Sequence, residues 1–127
     1  MEHLMELNIA IREPHVVKGK TMDICMIDFT GTTQGPHFTG KVIGTGVDTQ
    51  KIRPGQPMFL SARYMLEGDD AVGNPCKIFI ENNGDDFDNC KPMIITDSPL
   101  LQEWEEAELK ATVTPVDRGV TINIYKL

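Results

Sequence analysis

Between Met58 and Glu67 the chain alternates strictly, with Met58, Leu60, Ala62, Tyr64 and Leu66 on one side. Phe59, Ser61, Arg63, Met65 and Glu67 stand on the other. A period of two sends neighbouring side chains to opposite faces of an extended chain, so this run is a β-strand with one apolar and one mixed face. Periodicity alone leaves open which face turns inward. The same signature recurs at Met5, Leu7, Ile9 and Ile11, which alternate with Glu6, Asn8 and Ala10, and again at Ile78 and Ile80 among Lys77, Phe79 and Glu81. Helical spacing is scarce. A chain written this way has to bury many strands against one another.

Turn chemistry divides the strands. Arg12-Glu13-Pro14 is expected to break the first one, because proline lacks a ladder donor. Val16 and Val17 add a short strand before Gly19. Thr21 to Phe29 is apolar on both faces, with Met22, Ile24 and Met26 on one and Cys25, Ile27 and Phe29 on the other. Such a strand is covered on both sides, by the core and by another layer or a second subunit. The Gly31–Pro36 segment is a turn, and His37 to Ile43 is the next strand. Gly44 and Gly46 lie two apart, which suits a bulge or sharp bend and not a phosphate loop. No helix follows them, which excludes a dinucleotide fingerprint. Pro54-Gly55 and Gly68 to Pro75 are turns, and Asn82 to Asn89 reads as a loop. Met93 to Thr96 is a short strand. One helix is predicted at Ser98 to Trp104, capped by Asp97 or Ser98, with Pro99 in its first turn. Leu109 to Pro115 and Val120 to Tyr125 form a closing hairpin around Val116-Asp117-Arg118-Gly119. The expected fold is all-β: a closed antiparallel β-barrel of about eight strands, one short helix over one end, and a single domain spanning residues 1–127.

With 127 residues the chain can bury one hydrophobic core without metal or disulfide staples. A net charge of −7 argues against nucleic acid or an anionic membrane as partner, since both call for a basic footprint. No run reaches the roughly 18 to 20 apolar residues of a membrane span. The acidic start MEHLMELNIAIREP is unlike a signal peptide, so a cytoplasmic location is expected. Cys25, Cys76 and Cys90 agree with that location as reduced thiols, with a Cys76–Cys90 disulfide as the alternative.

Six residues stand out as candidate ligand-binding groups: Asp48, Gln50, Arg63, Tyr64, Glu67 and Asn82. Asp48 and Gln50 share a face of an extended segment, as do Arg63 and Glu67. The latter two are about 13 Å apart along one strand, so each needs a partner on a neighbouring strand, and Asp48 is the natural one for Arg63. Two readings of that pair stand side by side. Arg63 reaches into a barrel mouth and grips a carboxylate or enolate in bidentate fashion, or a buried Arg–Asp pair fixes the strand register. Tyr64 is either core packing with a satisfied hydroxyl or a general acid. His3, His15 and His37 show no metal-ligand spacing, and Asp85, Asp86 and Asp88 lack the order of an EF-hand loop. No cofactor is implied.

The pieces FTGTTQGPHFTG, GTGVDTQ, LSARYMLEGDD, IFIENNG and the hairpin after Trp104 resemble uncharacterised protein family 0311, also known as domain of unknown function 3237. The likeness covers most of the chain, and GVDTQ followed by ARY-x-LE is its most specific part. The resemblance implies a small antiparallel β-barrel and no assigned activity. The chain departs from that pattern at Val72-Gly73-Asn74-Pro75, which is extra, and in a shortened segment before Trp104. Three functions are then open. One is binding of a small organic molecule, a carboxylate or phenolic, in the barrel mouth. A second is a cofactor-independent isomerase, cyclase or lyase using Arg63 with Asp48 or Glu67. The third is a structural homo-oligomer, for which the two-sided strand at Thr21 to Phe29 supplies a homodimer surface.

Overall fold

The computed structural model describes residues 1–127. Nine antiparallel strands make one sheet: β1 (Glu2–Lys18), β2 (Asp23–Thr33), β3 (Phe38–Val42), β4 (Gly46–Ile52), β5 (Phe59–Asp70), β6 (Pro75–Gly84), β7 (Lys91–Thr96), β8 (Leu109–Val116) and β9 (Gly119–Lys126). The order across the sheet is β7-β6-β5-β3-β2-β1-β9-β8, with β4 also lying between β2 and β5. No helix is long and apolar enough to cross a membrane.

β3 and β4 share one lane of this sheet. β3 bridges Thr32–Thr33 of β2 to Leu66–Asp70 of β5, and β4 bridges the earlier part of β2 to Phe59–Arg63. The glycine corner is the kink between them. Gly44 adopts φ +58°, where a side chain would be strained. A Cβ at Gly46 would land on the Phe29 ring and on Tyr64 Cβ. Ile43 N–H still donates to Met65 O at 2.8 Å, so the lane stays attached through the bend.

The two outer strands of the order, β7 and β8, are joined by one isolated bridge. Cys90 N–H donates to Ala111 O at 3.0 Å, and Ala111 N–H to Cys90 O at 2.9 Å. The sheet is therefore all-β and antiparallel, as expected, with a single bridge where a closed barrel would carry a ladder.

Parity decides what fills the interior. Leu60, Ala62, Tyr64 and Leu66 of β5 are buried, so its apolar face turns inward. Leu7, Leu66, Ile78, Ile80, Ile94 and Ile124 are almost wholly excluded from solvent in one core cluster. Each such side chain contributes on the order of 1.5–3 kcal/mol through burial.

Four local expectations are corrected. β1 does not stop at Pro14: it continues to Lys18, and its register against β2 shifts between Ile11 and Pro14. The missing proline N–H falls where the irregularity needs no ladder donor. Asn82 is not in a loop, because β6 runs on to Gly84 and pairs Asn82 with both Ala62 and Pro92. The helix is a single 3₁₀ turn, Gln102–Glu105, without a side-chain cap. Asp97 instead accepts from Lys77 N–H at 2.8 Å, which ties the segment to β6 before any helix can start. Finally, Met26 and Val17 are 43% and 62% exposed, so no second layer of this chain covers the outer face there. The thiols of Cys25, Cys76 and Cys90 are free. The extra Val72–Pro75 turn is held by the Asp70 carboxylate, which accepts from Val72 and Asn74 N–H at 3.0 Å each.

Candidate functional site

Directly opposed residues of antiparallel strands project to the same face. Ile27, Asp48, Ala62, Asn82 and Pro92 are so opposed on β2, β4, β5, β6 and β7. One step along the strands is a parallel row containing Tyr64, Ile80 and Ile94. On the other side is the row Cys25, Gln50, Leu60 and Gly84. Ala62 is the small residue at the middle of its row, and Gly84 ends the next. Where the Tyr64 row fills the interior, the Ala62 row leaves space. A cavity of about 250 Å³ opens there, and ten of its fifteen lining residues are hydrophobic. Ile11, Ile27, Leu60 and Ile122 supply much of its wall, and Phe87 overhangs it from the loop after β6. That loop is pinned to β8, because Val113 N–H donates to Phe87 O at 2.8 Å.

Three of the six residues singled out in the sequence meet at this cavity: Asp48, Gln50 and Asn82. Gln50 Nε2 donates to Asp48 Oδ2 at 3.0 Å. Asp48 Oδ1 and Asn82 Oδ1 are buried without a hydrogen-bond partner. Asn82 is only 1% exposed. Burial pushes the Asp48 carboxyl above its usual range, against the opposing pull of the Gln50 amide and the Ser61 backbone. Next to Asn82 lies Cys90, whose thiol is pushed up to about 11, first by burial and then by the negative charge of Asp48. Its Sγ donates to Asp86 O at 3.2 Å. A buried thiol of that kind is inert as a nucleophile.

The other three candidates lie elsewhere. Arg63 points outward, 63% of its side chain is exposed, and its Nε donates to Glu81 Oε1 at 2.8 Å. The expected pairing with Asp48 is corrected: Asp48 faces Ala62 across the ladder, whereas Arg63 sits between Val47 and Glu81. Turning β5 over would bury this cation and expose four apolar residues, which is why the apolar face turns inward. Glu67 is on the same outer face, between Lys41 and Lys77 in register. Tyr64 belongs to the core, edge-on to Phe29 at 5.3 Å between centroids, and does not line the cavity. Its hydroxyl is buried without a partner, which raises its pKa far above the ordinary phenol range.

No cavity-lining residue is basic, and Asp48 is the one charged side chain there. Sequence reasoning missed the apolar wall from β8 and β9, including Val113, Val120 and Ile122. Their alternation marks them as inward-facing, but nothing in the chain shows that they lie opposite Asp48.

The family model described as Protein of unknown function (DUF3237) matches residues 1–87. The chain belongs to this family. The match spans β1 to β6 and the Phe87 loop, and so includes all three polar cavity residues. A UPF0311 protein of Clostridium acetobutylicum is 44% identical over 55 residues, which is 43% of this chain and 32% of that protein. The chain thus spans about a third of the length of that curated relative.

Among solved structures, a protein of unknown function from Clostridium acetobutylicum superposes with a TM-score of 0.84 at 24% identity, covering 99% of this chain and 97% of its own. A β-barrel-like protein from Acinetobacter baumannii gives 0.81 at 15% identity, covering 98% and 93%. An enzyme from Penicillium herquei gives 0.79 at 14% identity, covering 98% and 91%. At these identities the likeness establishes the fold and leaves the chemistry to the residues of each chain.

Proposed function

We infer that this DUF3237 protein binds a small, mostly apolar organic molecule inside the rolled sheet, which acts as a barrel closed at the Cys90–Ala111 bridge. One observation carries the reading: an apolar cavity of about 250 Å³ is bordered by the polar residues Asp48, Gln50 and Asn82, and beside it one oxygen each of Asp48 and Asn82 is buried without a partner. Burying a polar group unpaired costs on the order of 1–3 kcal/mol, so these polar groups weaken the packing of the interior there. The apolar wall holds the body of the ligand and the polar row orients it, which is the usual division of labour in small-molecule sites. Gln50 assists by holding the Asp48 carboxylate in place.

An enzyme in which Arg63 polarises a substrate loses its geometric basis, since the guanidinium is outside and paired with Glu81. Self-association rests on separate residues: Val17 and Phe59 on the outer face are 62% and 40% exposed and extend the Met26 surface. Sedimentation of the wild type and of Met26→Lys reads it directly, with a fall in mass expected for the variant.

Ligand binding is tested by melting the protein with a panel of one- and two-ring aromatic compounds. A binder of the native state raises Tm in proportion to the logarithm of its concentration above Kd. Ala62→Leu, which fills the cavity from its floor, should remove that rise. A rise that persists in Ala62→Leu, or a panel that moves nothing, would end the cavity reading.

A further inference from the structure

We propose that a second copy of this chain docks face to face on the outer wall of β5, β6 and β7, about a two-fold axis lying along the row Met65, Phe79 and Ile95. This contact is separate from the ligand cavity and from the Met26 surface, and it stands or falls apart from both.

Register fixes the row. Met65 lies opposite Phe79, and Phe79 opposite Ile95. Opposed residues project to one face, so the three side chains stand side by side across the strands. Met65 is 41% exposed and Ile95 47%, while Phe79 is half-buried. Met93 follows on the same face of β7 and is also exposed. Single exposed apolar residues are ordinary on a protein surface, whereas a contiguous group of them suits a contact.

The charges on either side of the row say what covers it. On one side the next outward row holds Arg63 on β5 and Glu81 on β6, joined at 2.8 Å. On the other side the outward row holds Glu67 on β5 and Lys77 on β6. The order of signs is reversed between the two rows. A half-turn about the apolar row lays each strand antiparallel over its own copy and exchanges the charged rows. Arg63 then meets the partner's Glu67, and Glu81 meets the partner's Lys77, each contact occurring twice by symmetry. Met65, Phe79 and Ile95 meet their own counterparts. Packed sheets stand about 10 Å apart, a gap that arginine or lysine spans together with glutamate.

Other arrangements do not match. An axis running along β6 would set Glu81 against its own copy and Lys77 against its own copy. A partner of uniform charge would be repelled by one member of each row, which leaves nucleic acid and anionic lipid out. The apolar row supplies the attraction, and the charged rows set the register.

The experiment is sedimentation of the intact chain over a range of concentrations. The wild type should show a dimer that dissociates on dilution. Arg63→Glu combined with Glu81→Arg reverses one row. It preserves opposite charges within the chain and the net charge of −7, but sets like charges opposite the partner's Glu67 and Lys77. Its dimer Kd should rise at least about tenfold, since like charges brought together across an interface cost several kcal/mol. Adding Glu67→Lys and Lys77→Glu reverses the second row and should bring the dimer back. Phe79→Lys places like charges on the axis and should leave a monomer. Loss of one charge, as in Arg63→Ala, removes only a screened surface attraction and should change association little. A wild type that stays monomeric at every concentration overturns the proposal. So does a one-row variant that associates as tightly as the wild type, an outcome that leaves the Met26 surface as the contact. A folded variant with both rows reversed that fails to dimerise overturns the two-fold arrangement.

Discussion

On β5, Tyr64 and Leu66 are 3% and 0% exposed and meet Ile80 and Ile78 across the ladder. One step back along the same inward face, Ala62 meets Asp48 and Asn82 at the edge of a cavity. The two ends of one interior are thus built from the same strands with the same alternation. At the first end β5, β6 and β7 carry Tyr64, Ile80 and Ile94 side by side, the Phe29 ring and Tyr64 fill the space beside Gly46, and the core closes. At the second a methyl side chain stands between two polar ones, and it does not. The filled end is closed further by Trp104, 3% exposed and edge-on to His37 at 5.6 Å. The difference teaches that stability and candidate site are separated along the strands of the sheet: packing at one end supports unpaired polar atoms at the other.

Substitutions that swap the character of the two ends test this separation. The largest effect is expected at the filled end. Ile80→Ala should cost about 2–5 kcal/mol in denaturant unfolding, because a void opens among wholly buried neighbours. A cost near zero there would mean the core is not close-packed. Next comes Gly46→Ala, where the new Cβ meets the Phe29 ring and Tyr64 Cβ, with an expected loss of about 1–3 kcal/mol.

At the open end the sign reverses. Asn82→Leu removes an unpartnered oxygen and adds apolar volume, so stability without ligand should rise by about 1 kcal/mol while ligand affinity falls. A structural role for Asn82 requires the opposite, a drop in Tm.

The pH response of Asp48 is smaller and has a definite sign. Its folded pKa is raised by burial above the ordinary 3.8, so the folded state holds this proton more tightly than the unfolded one. The associated stability is full below the unfolded pKa and is lost as pH rises through the folded value. The wild type should therefore gain stability relative to Asp48→Asn as pH is lowered toward the ordinary carboxylate range. A difference that runs the other way would show that the carboxylate is stabilised by its surroundings. The least effect is expected from Arg63→Ala, an exposed ion pair on the outer wall. Tm and ligand affinity should both stay within measurement error, as usual for surface pairs. A lost ligand response in that variant would restore Arg63 to the site.

Particular residues show where sequence reasoning succeeded and where it stopped. The alternation at Met58 to Leu66 marked β5 as a strand with one apolar and one mixed face but left open which face turns inward, and the glycine pair at Gly44 and Gly46 marked a true bend. The grouping of Asp48, Gln50 and Asn82 was legible because the first two share a face. Arg63 was misplaced because a charge that looks functional on paper was judged apart from the parity of its own strand. Pro14 misled because a proline forbids a ladder donor only where one is needed, and the register shift beside it supplies a place where none is.

What the chain determined by itself is local: period-two burial, turn positions and the all-β class, since each follows from side-chain direction over a few residues. What the tertiary structure decided is which rows meet. Ala62 lies between Asp48 and Asn82 only because β4, β5 and β6 pair in one register, and a shift of a single residue would turn all three to the other face. The apolar wall from β8 and β9 reaches that row because β1 carries the C-terminal hairpin around to it. Register and closure are long-range properties, set by the packing of the whole interior, and no stretch of sequence contains them.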